Sequence, residues 1–266
     1  MSKQSGLIKL EGTIGGIAFY QSNGEHLARI ANGPSKERIA TDASFVRTRE
    51  NNTEFGGSAS MGKAFRLAFA SVVQTSADKL LASRLTAIFR DICNKDTTGV
   101  RGQRSILLSA NPNNLVNFDF DPSISLTAIF NAPYTNTHVV ARNDATISVP
   151  SFVPSTFIQA PAGATHFKLI HALGVVSDYT YDTTLKSYEP ASATLNTIGA
   201  VVSSATTALG STATTAFTLD ATLPGTPTMT TNANVVQALG IQFYQRVGTV
   251  DYLLAQGNAF KVIKVF

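Results

Sequence analysis

The chain has 266 residues, 44 % hydrophobic and 14 % charged, with 19 Gly, 10 Pro, one Cys and no Trp; this excludes disorder, a collagen-like repeat and a disulfide scaffold. The net charge of +4 is unevenly spread: residues 1–105 hold 15 Lys or Arg against 9 Asp or Glu, and residues 106–266 hold 6 against 8. A back half so far below the usual charged fraction of about a quarter must cover itself with Thr, Ser, Asn and Ala, or lie against other copies of the chain.

No stretch approaches the ~18 uninterrupted apolar residues of a membrane helix, so no membrane insertion is expected. Residues 1–5 lead into a strand-like segment and not into the basic and apolar regions of a signal peptide, so synthesis in the cytoplasm without a signal peptide is expected. Gly6–Leu10, Gly16–Gln21 and Glu25–Ile30 read as a small β-meander. Ser22-Asn23-Gly24 joins the last two, and Asn-Gly is the strongest short hairpin signal. After Gly33-Pro34 come three helical segments. The first, over roughly 42–55 behind a Thr41 cap, is polar. The second spaces Met61, Phe65, Phe69 and Val72 on one helical face, and the third, from a Ser76 cap, does the same with Leu81, Leu85, Ile88 and Ile92. The short link Gln74-Thr75 predicts an antiparallel helical hairpin resting on a sheet.

From about residue 105 the pattern becomes short β-branched and aromatic runs: 105–108, 115–120, 125–130, 146–149, 165–176, 178–182, 240–247, 250–254 and 260–266. The expected fold is mainly β, α+β overall. It is an antiparallel β-sandwich or jelly-roll-like module with an N-terminal β-meander and a small helical hairpin. Two domains are expected, residues 1–104 and 105–266, with a sheet shared between them as an option. Within 191–235, 17 of 45 residues are Ser or Thr and Asp220 is the only charge. Such a segment forms strands with Thr on wet faces or a surface set between identical subunits.

Candidate chemistry is sparse. His166 and His171 are five apart in a strand and so face opposite sides, and with His26, His138 and Cys93 they form no zinc set. Asn117, Asp119 and Asp121 share a strand face, as do Asp178, Thr180 and Asp182, but same-face neighbours sit too far apart for one calcium ion, and each run reads as a wet face. Glu11–Gly16 is glycine-rich without the Lys-Ser/Thr of a phosphate loop and reads as a tight turn. Lys36, Arg38, Arg47, Arg49, Arg101 and Arg104 are interleaved with acids, which argues against nucleic acid as a partner. Without Trp, a glycan platform would have to use Tyr134, Tyr179, Tyr181 and Tyr188. No catalytic, cofactor-binding or metal residue is assigned, and no cofactor is expected.

Lys3–Tyr20, His26-Leu-Ala-Arg29, Phe45–Asn51 with Glu54-Phe-Gly56, Ala164–Leu169 and Gly240–Tyr244 resemble a family of signal-less Bacteroidota proteins without an established activity. The resemblance touches both halves and implies no catalytic residues. It implies instead a non-enzymatic role of the kind played by self-assembling or phage-like structural proteins. The function expected is therefore a structural protein that associates with copies of itself into a ring, tube or filament; the alternative is a β-sandwich binding module for a glycan or protein ligand. The residues expected at its interfaces are Leu7, Ile8 and Leu10 near one end and Val262, Ile263, Val265 and Phe266 at the other, which could extend a neighbour's sheet or pair with each other within one chain.

Overall fold

A computed structural model describes residues 2–31 and 33–266. The backbone divides into two compact units, residues 1–49 and 50–266.

The first unit is built on four antiparallel strands, β1 (Ser2–Lys3), β2 (Gly12–Ile14), β3 (Ile17–Ser22) and β4 (Glu25–Ile30), in the order β1-β4-β3-β2. Two tight turns set its register. Gly15 and Gly16 (φ 55° and 79°) join β2 to β3, and Asn23 and Gly24 (φ 51° and 79°) join β3 to β4; both turns need positive φ at both central positions, which these residues adopt at low cost. A short helix, α1 (Lys36–Thr41), follows, its Ser35 cap accepting the Arg38 N–H. A 3-10 turn over Ala43–Phe45 is capped by Asp42, which accepts the Ser44 N–H.

Helix α2 (Val46–Ala68) begins at the end of this unit and merges the polar segment predicted over 42–55 with the apolar one after it. It breaks at Phe69 into α3 (Ala70–Ser76), and α4 (Leu81–Lys95) follows. Gln74-Thr75 therefore lies inside α3. The connection to α4 is residues 77–80, and α4 starts without a Ser76 cap.

The sheets of the second unit come from β5 (Thr135–His138), β6 (Asp144–Val149), β7 (His166–Ser177), β8 (Tyr179–Asp182), β9 (Ser187–Pro190), β10 (Gly199–Ser203), β11 (Thr207–Ala208), β12 (Phe217–Thr222), β13 (Ala233–Val247), β14 (Val250–Leu253) and β15 (Ala259–Val265), with short helices α5 (Leu126–Ile129) and α6 (Pro154–Phe157). All pairings are antiparallel. The main sheet is centred on β7 and β13, paired residue by residue from His166↔Tyr244 to Ser177↔Ala233. On the outer side of β7 lie β10 and β11, and on the outer side of β13 lie β14 and β15. A three-stranded sheet, β12-β6-β5, and the β8–β9 hairpin complete the unit.

The main sheet is covered on both faces, so β7 and β13 are buried on both sides over most of their length in place of a wet-and-dry alternation. On one face, Ile170, Ala172, Val176, Val236, Ala238, Phe260 and Val262 share a cluster with Met61, Phe65 and Phe69 from the helical segment and Leu85, Phe89 and Ile92 of α4. On the other face, Phe167, Leu169, Leu239, Ile241 and Phe243 pack with Ile147, Val149 and Leu219 of the second sheet. The protein is strand-rich, with antiparallel sheets, an N-terminal four-stranded sheet and a helical segment, an α+β fold that is mainly β.

Three expectations are corrected. The division lies at 49/50, not at 104/105, because the apolar faces of the helices are buried in one cluster with β7, β13 and β15. Gly6–Leu10 is not a strand. The Gln4 side chain accepts the Leu10 N–H (2.8 Å) and donates to the Leu10 carbonyl (3.1 Å), folding the segment into a bend. Residues 105–108 and 115–120 contribute only isolated bridges, Ile106↔Tyr179 and Asp119↔Lys261, while 126–129 is helical. Asn117 at φ 69° interrupts the backbone of the second run, which nevertheless lies along β15: Asn117 donates to the Val262 carbonyl (2.8 Å) and Phe120 to the Phe260 carbonyl (2.9 Å).

Candidate functional site

The two ends of the chain have different fates. Val262, Ile263 and Val265 lie in β15, paired with β13 and flanked by residues 117–120. Phe266 exchanges both backbone hydrogen bonds with Val235 and stacks on His138 (ring centroids 4.0 Å). These four residues are thus consumed by the chain's own sheet.

Leu7, Ile8 and Leu10 are uncovered. Leu7 and Ile8, at the tip of the bend held by Gln4, are 104 % and 81 % exposed, and Leu10 is 41 % exposed. The sheet itself carries a further exposed row that the sequence reading missed. Ile14 stands opposite Ile17, and Ile17 opposite Ile30, so the three side chains lie side by side on one face of the sheet, exposed at 60 %, 42 % and 71 %. The signal for this row was in the sequence: the Gly15-Gly16 and Asn23-Gly24 turns fix the register, and the register places the three isoleucines together. Among the described residues of this unit none is buried. The sheet therefore has large aliphatic side chains and no core of its own.

The densest charged cluster is elsewhere. Glu54 of α2 is fully buried, and its carboxylate accepts the Gly102 N–H (2.7 Å), Arg104 Nε and Nη2 (2.8 and 2.7 Å) and Arg90 Nη1. Burial alone would raise this carboxyl, but the hydrogen bonds from Arg104, Gly102 and Arg90 outweigh it and hold it at about 2. Four donors fill the four lone-pair sites of a carboxylate, leaving none for a substrate. Burial pushes the neighbouring Cys93 thiol up, away from the thiolate that nucleophilic chemistry needs. Tyr188 donates to the Arg104 carbonyl (2.7 Å). The arrangement ties α2, α4 and the 101–104 loop together and performs no visible chemistry.

The remaining candidates are distributed through the framework. His171 is buried between the two sheets, with Nδ1 against the Leu219 carbonyl (2.8 Å) and Nε2 against the Gln237 amide (3.1 Å). Asp178 is buried and not on a wet face; it accepts from the Ser109 N–H and hydroxyl and from the Asn234 amide. Asp119 accepts from Ser125 and faces Lys261 at 3.8 Å. Among the described residues, no three of His, Cys, Asp and Glu converge on a metal position. Of the basic residues, Arg104 belongs to the Glu54 cluster, Arg101 faces Glu50 (3.4 Å), Arg38 faces Asp42 (3.2 Å), and Arg49 donates to the Ile39 and Asp42 carbonyls. Glu11–Gly16 is the β2–β3 turn and its approach. Tyr179 and Tyr188 are buried and form no platform. Among the described residues no helix is long and apolar enough to cross a membrane. No protein-family model, curated protein or solved structure matches the chain.

Proposed function

We propose that the protein is a non-enzymatic structural component that associates with copies of itself through the aliphatic surface of its first unit. The observation that carries this reading is a four-stranded sheet without a single buried residue among those described, bearing Ile14, Ile17 and Ile30 in a row, in a unit that also exposes Leu7, Ile8 and Leu10. A small sheet needs an apolar face packed against something to be stable in water, and large aliphatic side chains left exposed side by side mark a contact surface. Covering a fully exposed aliphatic side chain of this size is worth about 1.5–3 kcal/mol, and each of the three isoleucines, 60 %, 42 % and 71 % exposed, contributes part of that against the cost of association. The saturated Glu54 carboxylate gives the densest charged cluster a structural role, tying helices and loop together.

The test is particle size. Light scattering on a gel-filtration column, with negative-stain imaging of the leading peak, is expected to show regular particles much larger than 28.2 kDa. The double variant Ile17→Asp/Ile30→Asp, which sets two charges into the row, is expected to release subunits. A monodisperse monomer at high concentration in several buffers would overturn the reading.

A further inference from the structure

Helices α2 and α4 carry an open groove on the side away from the main sheet, used neither by the core nor by the isoleucine row. The two helices run antiparallel: Glu54 meets Arg90 at one end, and Gly62 lies against Leu85 and Thr86 further along. The space between them measures about 580 Å³. Its floor is formed by Ala59, Ala82 and Ala87, and Phe55, 55 % exposed, stands at the Arg90 end. Most of its polar side chains are already bonded within the chain. The Thr86 and Ser83 hydroxyls donate to the Ala82 and Leu80 carbonyls, Arg90 is held by Glu54 and Asn51, and the Asn94 side-chain oxygen accepts from Arg104. Two charges stand at opposite ends. Arg66, one turn beyond Gly62 and so at the Ala82 end, has no partner among the described residues, and its Nε–H is buried without an acceptor. Asp91, at the Phe55 end, is exposed and meets Lys95 at 3.7 Å and the Asn114 amide at 2.8 Å.

We propose that a second copy of the chain docks in this groove about a two-fold axis, α2 and α4 of one protomer lying across α2 and α4 of its partner. A groove with a free cation at one end and a carboxylate at the other is complementary to itself when turned end for end, and a two-fold axis perpendicular to the groove does this. Arg66 of one protomer then faces the partner's Asp91, and the same contact forms a second time with the roles exchanged. In the same arrangement Phe55 comes over the partner's Ala82, and the small side chains of the floor let the helices approach to the ~8–10 Å of ordinary helix packing. A small polar ligand fits less well, because the hydroxyls, Asn94 and Arg90 have their partners in the chain. A lone carboxylate would answer Arg66 and leave Phe55 and the alanine floor uncovered. This contact lies wholly within the second unit and does not rest on the isoleucine row of the first. A chain that has both meets its copies through two different surfaces, as an extended assembly requires.

Mixing of charge-reversed chains decides the matter. In full-length protein carrying Ile17→Asp/Ile30→Asp, sedimentation velocity over a concentration series is expected to show a reversible dimer of twice 28.2 kDa. Adding Arg66→Glu, or adding Asp91→Lys, sets like charges together at both ends of the two-fold contact, and each of these chains alone is expected to dimerise about tenfold more weakly or worse. An equimolar mixture of the two is expected to recover the dimer, because each end of the mixed pair again joins opposite charges. Thermal unfolding at low concentration controls for the folding of each variant. The proposal is overturned if the double-isoleucine variant stays monomeric throughout the series, if the reversals leave its association unchanged, or if the mixture recovers none of it. Particles much larger than a dimer in the double-isoleucine variant would count against the isoleucine row alone, since the reversals and the mixture would still raise and lower their dissociation, so the two readings fail separately.

Discussion

Glu54 is the residue on which the helical layer depends most. Replacing it with Gln leaves the Arg90 and Arg104 guanidiniums, only 19 % and 18 % exposed, facing each other without a countercharge. Breaking a buried pair in this way typically costs about 3–5 kcal/mol, and the Glu54→Gln variant is expected to lose stability on that scale in urea unfolding. The pH dependence follows the same group. Its carboxyl lies at about 2 in the folded chain against an ordinary value of 4.5, so its contribution is complete above pH 4.5 and is lost as the pH falls towards 2. His171 acts higher on the scale. Its Nδ1–H donates to the Leu219 carbonyl, so Nε2 accepts from Gln237. Burial lowers its pKa, while that carbonyl, Asp220 and Asp144 oppose the shift without reversing it. The unfolded chain then takes up this proton first, and the associated stability, complete above pH 6.5, declines as the pH drops below it. Urea midpoints measured from pH 8 to pH 5 are expected to fall on the acid side, and less steeply in His171→Asn, the remaining slope coming from groups such as His138, which is also shifted down. Neither site was legible in the sequence. Glu54 meets Arg90 and Arg104 across 36 and 50 positions, and no local spacing encodes a pair brought together by the packing of α2 on α4.

The helices and strands were legible to different degrees. The period-3.6 spacing from Met61 to Val72 and from Leu81 to Ile92 located the helices, because burial on one face imposes that spacing directly. It did not locate the break at Phe69, which is set by the fit to the sheet beneath. There, a Cβ on Gly199 would stand 2.1 Å from the Ala68 carbonyl oxygen, and one on Gly174 would stand 2.4 Å from the Phe69 ring. The long strands β7 and β13 were found, although β13 begins seven residues before the predicted start, because Asn234 and Gln237, both buried, interrupt the apolar pattern of Ala233–Leu239. Residues 115–120 misled because alternating Phe and Asp suits a strand, whereas Asn117 at positive φ breaks one. A pair of adjacent glycines in α2 offers a test of the packing. Nothing lies within 4 Å of a Cβ on Gly56, while one on Gly57 would stand 2.4 Å from the Tyr188 ring. Gly56→Ala is expected to stabilise the protein by about 0.5–1 kcal/mol through helix propensity, and Gly57→Ala to destabilise it by about 1–3 kcal/mol through overpacking. Thermal unfolding of the two variants should therefore shift in opposite directions.

For the whole molecule, the uneven charge singled out the back half as a surface that could lie against other copies, whereas the exposed isoleucine row lies in the first unit. The charge-poor back half achieves its low charge by burying both faces of its main sheet, so its strands need no wet side. Exposed aliphatic side chains occur in both halves, Val247, Val250 and Leu253 among them in the back, but the isoleucine row lies in the charge-rich front. The two units are accordingly expected to separate in experiment. A fragment spanning residues 42–266 keeps the three apolar clusters of the second unit and should unfold cooperatively near the temperature of the full chain while running as a smaller particle on gel filtration. A fragment that fails to fold would show that the division at 49/50 is not one of stability.

The position of β13 at the centre of the main sheet also dictates when that sheet can close. Its partner β7 is separated from it by the whole 178–232 segment, and its outer edge is covered by β14 and β15, the last strands of the sequence. Pairings so distant along the chain are slow to form, and during synthesis the central strands must wait, apolar on both faces, until β15 has left the ribosome. The N-terminal meander, made of neighbouring strands and tight turns, can form long before. In the cell the surface proposed for assembly would then be ready before the body that carries it, and premature contact between nascent chains is the hazard this order of events creates.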